Sequence, residues 1–220
     1  MTTAVASNPV FVTGGTGYLG RALIEALLDR GHQVHALVRP GSERKLPPEA
    51  VAIAGDALDA STFAAAIPDR AIVVHLVGTP HPSPAKAAEF QRVDLQSIRA
   101  TALAAANAAH LVYVSVAHPA PVMAAYIAAR QAGEALVRAT GRPATILRPW
   151  YVLGPGHRWP YALVPMYVVL RLLPPTREGA ARLGLVTRQQ MVTALVAAVE
   201  STPAGVRIVD VPAIRAARLE

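Results

Sequence analysis

Val12–Leu28 reads VTGGTGYLGRALIEALL, and the interpretation of this stretch decides that of the whole chain. Gly14, Gly17 and Gly20 stand at three-residue intervals where a β-branched run, Val10–Thr13, gives way to an amphipathic one, Leu19–Arg30, that Gly31 ends. The first run reads as a strand and the second as a helix. Each glycine has a physical task at such a junction: Gly14 permits the tight turn, Gly17 lets the backbone approach a pyrophosphate, and Gly20 allows helix to pack closely on strand. The helix N-terminus offers unpaired N–H groups and a positive dipole end to the phosphates. Thr16, Tyr18 and Leu19 join the three glycines as candidate cofactor-binding residues.

Outward from this turn, short β-branched runs alternate with longer alanine- and leucine-rich ones. Gln33–Val38, Val51–Ala54, Ala71–Leu76, Leu111–Ser115, Ala144–Leu147 and Val206–Val211 read as strands. Ser61–Ile67, Ala85–Ala109, Val122–Thr140 and Thr187–Glu200 read as helices. This order predicts an α/β fold, a Rossmann-like doubly wound parallel sheet with helices on both faces and a small C-terminal lobe, because parallel neighbours need right-handed crossovers. Residues 1–150 are the expected dinucleotide-binding domain. Residues 151–220 are the expected substrate or lid region packed on it, opening with the glycine- and proline-rich WYVLGPGHRWPY.

Composition fits that plan. The 220 residues are 53% hydrophobic and 16% charged, which suits one packed domain. Cysteine is absent, so disulfides, thiolate metal sites and cysteine nucleophiles are excluded. The net charge of +7 comes from scattered arginines, with only Lys45 and Lys86 as lysines, and no basic run with interleaved aromatics points to nucleic acid. The apolar stretch Tyr161–Leu173, broken by Pro165 and Arg171, is shorter than the roughly 20 residues a membrane span needs. It reads as a buried helix or lid, with a dimer face or membrane-surface patch as the alternatives. No secretory signal is legible in MTTAVASNPVFVTGG, so the expected location is cytoplasmic. His75, His81, His118 and His157 lack metal-ligand spacing.

Further cofactor contacts follow from the strand ends. Arg39 stands after the second strand, where many dinucleotide sites carry an acidic residue, with Arg44 and Lys45 close behind. An arginine there pairs with a 2′-phosphate, so NADP(H) is preferred over NAD(H). The alternative is a solvated Arg39 that stacks on adenine without choosing. Asp56 and Ala57 follow the third strand, Asp56 as an acceptor for the adenine amino group. Val77 and Gly78 follow the fourth, where small residues let a cofactor lie against the backbone.

Tyr126–Glu134 reads YIAARQAGE and puts Tyr126 and Arg130 one helical turn apart on one face. Together TGGTGYLG, GDALD, Ser115 at the end of YVSV, YIAAR and LRPWYVLGPG resemble the short-chain dehydrogenase/reductase superfamily over residues 8–156. The TGxxGxxG spacing is similar to its extended and atypical branches, and the short C-terminal lobe to the atypical NAD(P)H-binding group that includes NmrA-like and complex-I-subunit-like proteins. The resemblance implies a nicotinamide cofactor and a Ser/Tyr/Lys group. Carried over, Ser115 polarises a substrate carbonyl or hydroxyl, Tyr126 transfers the proton, and Arg130 takes the place of the lysine and holds the nicotinamide ribose.

Three departures stand out against the family. Arginine supplies charge but cannot join a proton relay as lysine can. Asp94 occupies a place where active relatives often carry asparagine, and Pro119 and Pro121 lie in a short Ser115–Tyr126 interval. The alternative reading of the helix is that Tyr126 packs and Arg130 binds a neighbouring carboxylate.

The expected function is that of an NADP(H)-dependent oxidoreductase acting on a small carbonyl or alcohol, as a monomer or homodimer. A non-catalytic NAD(P)H-binding regulator or assembly factor is the alternative, and a nucleotide-sugar epimerase or dehydratase is less favoured because the C-terminal lobe is small.

Overall fold

A computed structural model describes residues 8–154 and 176–219. The strands are β1 (Val10–Thr13), β2 (Val34–Val38), β3 (Val51–Ala54), β4 (Ile72–His75), β5 (His110–Val114), β6 (Ala144–Leu147), β7 (Val152–Leu153), β8 (Val186–Thr187) and β9 (Val206–Val209). Seven of them form one sheet in the order β3-β2-β1-β4-β5-β6-β9, with every neighbour parallel, and β7 and β8 pair separately. Because β1 is flanked by both β2 and β4, the order reverses there, which opens a crevice at the carboxyl ends of β1 and β4.

Alternation along the strands divides the core between the two faces. Val10 and Val12 of β1 and Val74 of β4 face one cluster, while Phe11 and Val73 face the other. The first cluster is closed by Leu23, Ile24 and Leu27 of helix α1 (Tyr18–Asp29), whose spacing makes one apolar stripe. The second contains Phe63, Tyr113 and Ile146.

Further along the chain come α2 (Ala87–Glu89), α3 (Gln96–Ala104), α4 (Ala124–Ala139), α5 (Arg177–Arg182), α6 (Arg188–Glu200) and α7 (Val211–Ala216). Thr187 and Gln190 form a reciprocal capping box that starts α6. Met191, Leu195 and Val199 of that helix enter the same cluster as α1.

The elements differ from expectation in four places. Ser61–Ile67 gives two 3₁₀ turns, Ala60–Thr62 and Ala64–Ala66, because Asp59 accepts from the Ser61 N–H and the run is too short to nucleate a helix. The expected helix Ala85–Ala109 contains a π-helical turn, Phe90–Leu95, and ends at Ala104. Beyond it, the Asn107 carbonyl accepts from Arg70 and the Ala109 N–H donates to Ala71, which draws the chain into β5. The last expected strand ends at Val209, where Asp210 caps α7 through the Ala213 N–H. Finally, β7 lies within the WYVLGPG stretch expected to be loop. The apolar stretch Tyr161–Leu173 and His157 lie outside the described residues.

Candidate active site

The β1–α1 turn is shaped by backbone. Gly14 has φ +77°, and a Cβ there would stand 2.9 Å from the Leu76 carbonyl carbon, so conformation and close approach both require glycine. The Gly17 N–H donates to the Gly14 carbonyl at 3.0 Å. A Cβ on Gly20 would overlap the Gly14 carbonyl oxygen and reach 2.7 Å from Gly15 Cα, which is the close helix-to-strand packing expected of it. Among the described residues no side chain caps the N-terminus of α1. A cleft of about 220 Å³ opens here, lined by Thr16, Gly17, Tyr18, Arg21, Glu25 and Arg188. The Arg188 guanidinium carbon lies 5.5 Å from the centre of the Tyr18 ring, and Leu19 packs on the α1 cluster.

Farther along the same edge, Arg39 is exposed after β2, with Arg44 and Lys45 exposed in the next turn. Asp56 follows β3, and its Oδ1 accepts from the Leu58 N–H at 2.9 Å. Ala57 packs against the second core cluster. Val77 and Gly78 leave β4 directly beside Gly14, whose missing Cβ would fall 3.0 Å from the Val77 nitrogen. The glycine-rich turn and the β4 exit therefore form one continuous backbone surface.

Helix α4 aligns Tyr126, Arg130 and Glu134 at four-residue intervals. Tyr126 is half-buried. Its ring lies 5.0 Å from that of Phe90 and 5.2 Å from the Arg130 guanidinium carbon. Among the described residues none hydrogen-bonds its hydroxyl.

Arg130 is almost wholly buried. Its Nη1 donates to the Val114 carbonyl at 3.0 Å and the Val77 carbonyl at 3.5 Å, and its Nη2 lies 2.7 Å from Asp94 Oδ1. Burial works against its charge, but Tyr126, Tyr113 and Asp94 outweigh it, so its pKa is raised and it stays cationic. The reading in which Arg130 binds a neighbouring carboxylate describes this geometry, alongside its approach to Tyr126. Asp94 is fully buried, and its Oδ2 accepts from the Thr79 N–H at 3.0 Å and the Thr79 hydroxyl at 2.6 Å.

Ser115 belongs to a different group. Its hydroxyl, 3% exposed, donates to Glu134 Oε1 at 2.7 Å. The Glu134 carboxylate also accepts from Arg148 Nε at 2.9 Å and Nη2 at 2.5 Å, and His118 Nε2 lies 3.5 Å away. Burial pushes the Glu134 carboxyl up, but hydrogen bonds from Arg148 and Ser115 prevail and hold it below the ordinary glutamate value. The fold thus joins Tyr126 to Arg130 and Ser115 to Glu134, and no hydrogen bond joins Ser115 to Tyr126. Glu134 and Arg148 were not singled out from sequence. Their only signal is a third four-residue step after Tyr126 and Arg130, with an arginine at the end of β6.

Beneath both halves lies His75, at the end of β4. Its Nδ1 is 2.9 Å from the Thr13 hydroxyl and 3.0 Å from that of Thr101, and its Nε2 is 3.3 Å from that of Ser97. Burial, with Arg130 adding to it, lowers its pKa to about 3, so it is neutral at physiological pH.

Comparison with known proteins places this geometry in context. The family described as NAD(P)H-binding matches residues 14–163. A ceramide reductase of Caulobacter vibrioides is 33% identical over 156 residues, covering 69% of this chain and 48% of that protein. A 3β-hydroxysteroid dehydrogenase/Δ5→4-isomerase of Mycobacterium tuberculosis is 39% identical over 66 residues, 30% of this chain and 18% of that protein. This chain therefore spans about half the length of the first and less than a fifth of the second. Among solved structures, the Bordetella bronchiseptica enzyme WbmH in complex with NAD+ gives a TM-score of 0.67 at 23% identity, covering 91% of this chain and 74% of that one. A UDP-galactose 4-epimerase gives 0.68 at 20% identity, covering 91% and 76%. These structures share the fold. No helix among the described residues is long and apolar enough to cross a membrane.

Proposed function

Given that the chain belongs to the NAD(P)H-binding family, in the extended or atypical branch of the short-chain dehydrogenase/reductases, we propose that it is an oxidoreductase that uses NADP(H) on a small carbonyl or alcohol. The observation that carries this reading is the Tyr126 hydroxyl, which has no hydrogen-bond partner among the described residues and lies beside a buried cation at the carboxyl edge of the sheet.

The glycine-rich turn fits a dinucleotide, since side chains at Gly14 and Gly20 would close it. Gly14, Thr16, Gly17, Tyr18, Leu19 and Gly20 would hold the pyrophosphate. Asp56 and Ala57 would border the adenine, Arg39 would meet a 2′-phosphate, and Val77, Gly78 and Arg130 would flank the other end. When bound, the nicotinamide supplies or accepts the hydride.

Tyr126 gives the proton to the substrate oxygen during reduction and takes it back during oxidation. Arg130, fixed against its ring face, supplies positive charge next to the phenol without exchanging a proton. Ser115 acts as a positioning residue, because its one proton is committed to Glu134 and a carbonyl oxygen needs a donor. The likeness to a ceramide reductase favours the reducing direction and a carbonyl substrate.

Titration of nicotinamide fluorescence with the purified protein, followed by turnover across a panel of aldehydes and ketones, tests the reading. NADPH binding together with turnover that Tyr126→Phe abolishes is the expected result. Absence of binding to both NADPH and NADH overturns it. A regulator that binds cofactor without chemistry is the second reading, favoured by the engagement of Arg130 with Asp94. Tight binding with no turnover of any substrate, unchanged by Tyr126→Phe, would establish that reading instead.

A further inference from the structure

The aspartate and the arginine that depart from the family pattern are parts of one socket. Asp94 Oδ1 lies 2.7 Å from Arg130 Nη2, while Oδ2 takes two hydrogen bonds from Thr79. One buried carboxylate thus ties α4 to the segment leaving β4. Gly78 completes the enclosure: a Cβ there would overlap Arg130 Nη2 and stand 3.2 Å from Asp94 Oδ1. The other guanidinium nitrogen reaches the Val114 carbonyl at 3.0 Å, so the planar head spans the exits of two neighbouring strands. Asp94 reaches this point from the π-helical turn Phe90–Leu95, a distortion that recurs at functional sites.

The charges make the two residues depend on each other. A guanidinium buried beside a neutral amide would keep its charge without a counter-charge, and a shorter ammonium would not span Asp94 and the Val77 and Val114 carbonyls as the planar head does. We propose that Asp94 is a positioning residue that acts through Arg130: with Gly78 it holds the guanidinium flat across the β4 and β5 exits and against the Tyr126 ring, and so sets the nicotinamide end of the site. This rests on the dinucleotide reading of the cleft. It goes beyond that reading by making Asp94 and Arg130 a single interdependent unit.

The test is a double-mutant cycle of D94N, R130K and D94N/R130K, read by thermal unfolding and by affinity for two probes, NADPH and the fragment 2′,5′-ADP, which lacks the nicotinamide half. Each single variant is expected to lose about tenfold or more in NADPH affinity while 2′,5′-ADP binding stays within about threefold, because a broken buried charge pair acts locally. The double variant is expected to recover most of the NADPH affinity and the unfolding temperature. Additive losses in the double variant, or equal losses for both probes, overturn the proposal. If D94N does not fold, recovery of folding in D94N/R130K supports it, and a double variant that also fails to fold overturns it. Gly78→Ala supplies a test with both charges intact: selective loss of NADPH affinity is expected, and unchanged affinity counts against the socket. Should the native protein bind neither probe, the dinucleotide reading fails and the placement of the nicotinamide end falls with it, whereas the unfolding cycle still decides whether Asp94 and Arg130 act as one unit.

Discussion

At the β1–α1 turn, no side chain of the described residues caps the helix that the glycines open, whereas at the β5–α4 edge, side chains close over the backbone: Arg130 occupies the Val77 and Val114 carbonyls, and Glu134 accepts the hydrogen bond of the Ser115 hydroxyl. The first region works by omission, leaving the bare donors and room that a bound phosphate would need. The second works by pairing, because each buried charge needs a partner of opposite sign. A main-chain device tolerates no added atoms, and a side-chain device tolerates no removed partner.

Four measurements test this contrast. The largest effect concerns His75, which joins the ends of β1 and β4 to α3 through Thr13, Thr101 and Ser97. Its folded pKa of about 3 lies below the ordinary histidine value of 6.5, so between these values the unfolded chain binds the proton and the folded one does not. Stability is therefore fully present above about pH 6.5 and falls as pH drops toward 3, by on the order of 4 kcal/mol in total. Urea unfolding from pH 7 to pH 4 should show this decline, and His75→Gln should flatten it. A residual slope is expected from His110, lowered to about 4 by burial and by Arg207.

Next in size is Glu134→Ala, which strands Arg148 and Ser115 and should cost about 2–3 kcal/mol of stability, allowing for the partial exposure of Arg148. Affinity for 2′,5′-ADP should stay unchanged, and a fall in both would erase the distinction between the regions. Gly20→Ala should instead lower both. Its methyl meets the Gly14 carbonyl, so a loss of about 1–3 kcal/mol in stability should come with weakened NADPH binding. The smallest effect belongs to Arg39→Ala, an exposed change expected to leave the unfolding temperature alone while lowering NADPH affinity about tenfold and sparing NADH. Equal effects on both cofactors would remove Arg39 from the 2′-phosphate site.

The two regions also differ in how legible they are in the sequence. The glycine spacing and the strand before it specify a backbone path, and the path determines the turn, so Gly14, Gly17 and Gly20 stand where the sequence puts them. The pairing of Tyr126 with Arg130 is equally local, since four helical residues bring them together. Asp94, by contrast, meets Arg130 only after a crossover and through a π-helical turn, which apolar periodicity does not register because the helix continues on either side. The Ser115 hydroxyl donates to a residue on another element, which strand pattern does not reveal. Ser61–Ile67 has helical composition but too few residues to keep a helix against Asp59 capping. The two-residue strands β7 and β8 are too short to carry any period.

The packing of α6 against α1 bears on the order of assembly. Leu23 and Leu27 share a core with Met191, Leu195 and Val199, and Arg30 binds Glu200 at 2.6 Å. The helix that opens at the glycine-rich turn is therefore completed by residues made long after it. A growing chain that has just finished β6 has its glycines in place but lacks part of the wall that α1 leans on, so the glycine-rich turn should reach its full rigidity only after residue 200 has been added.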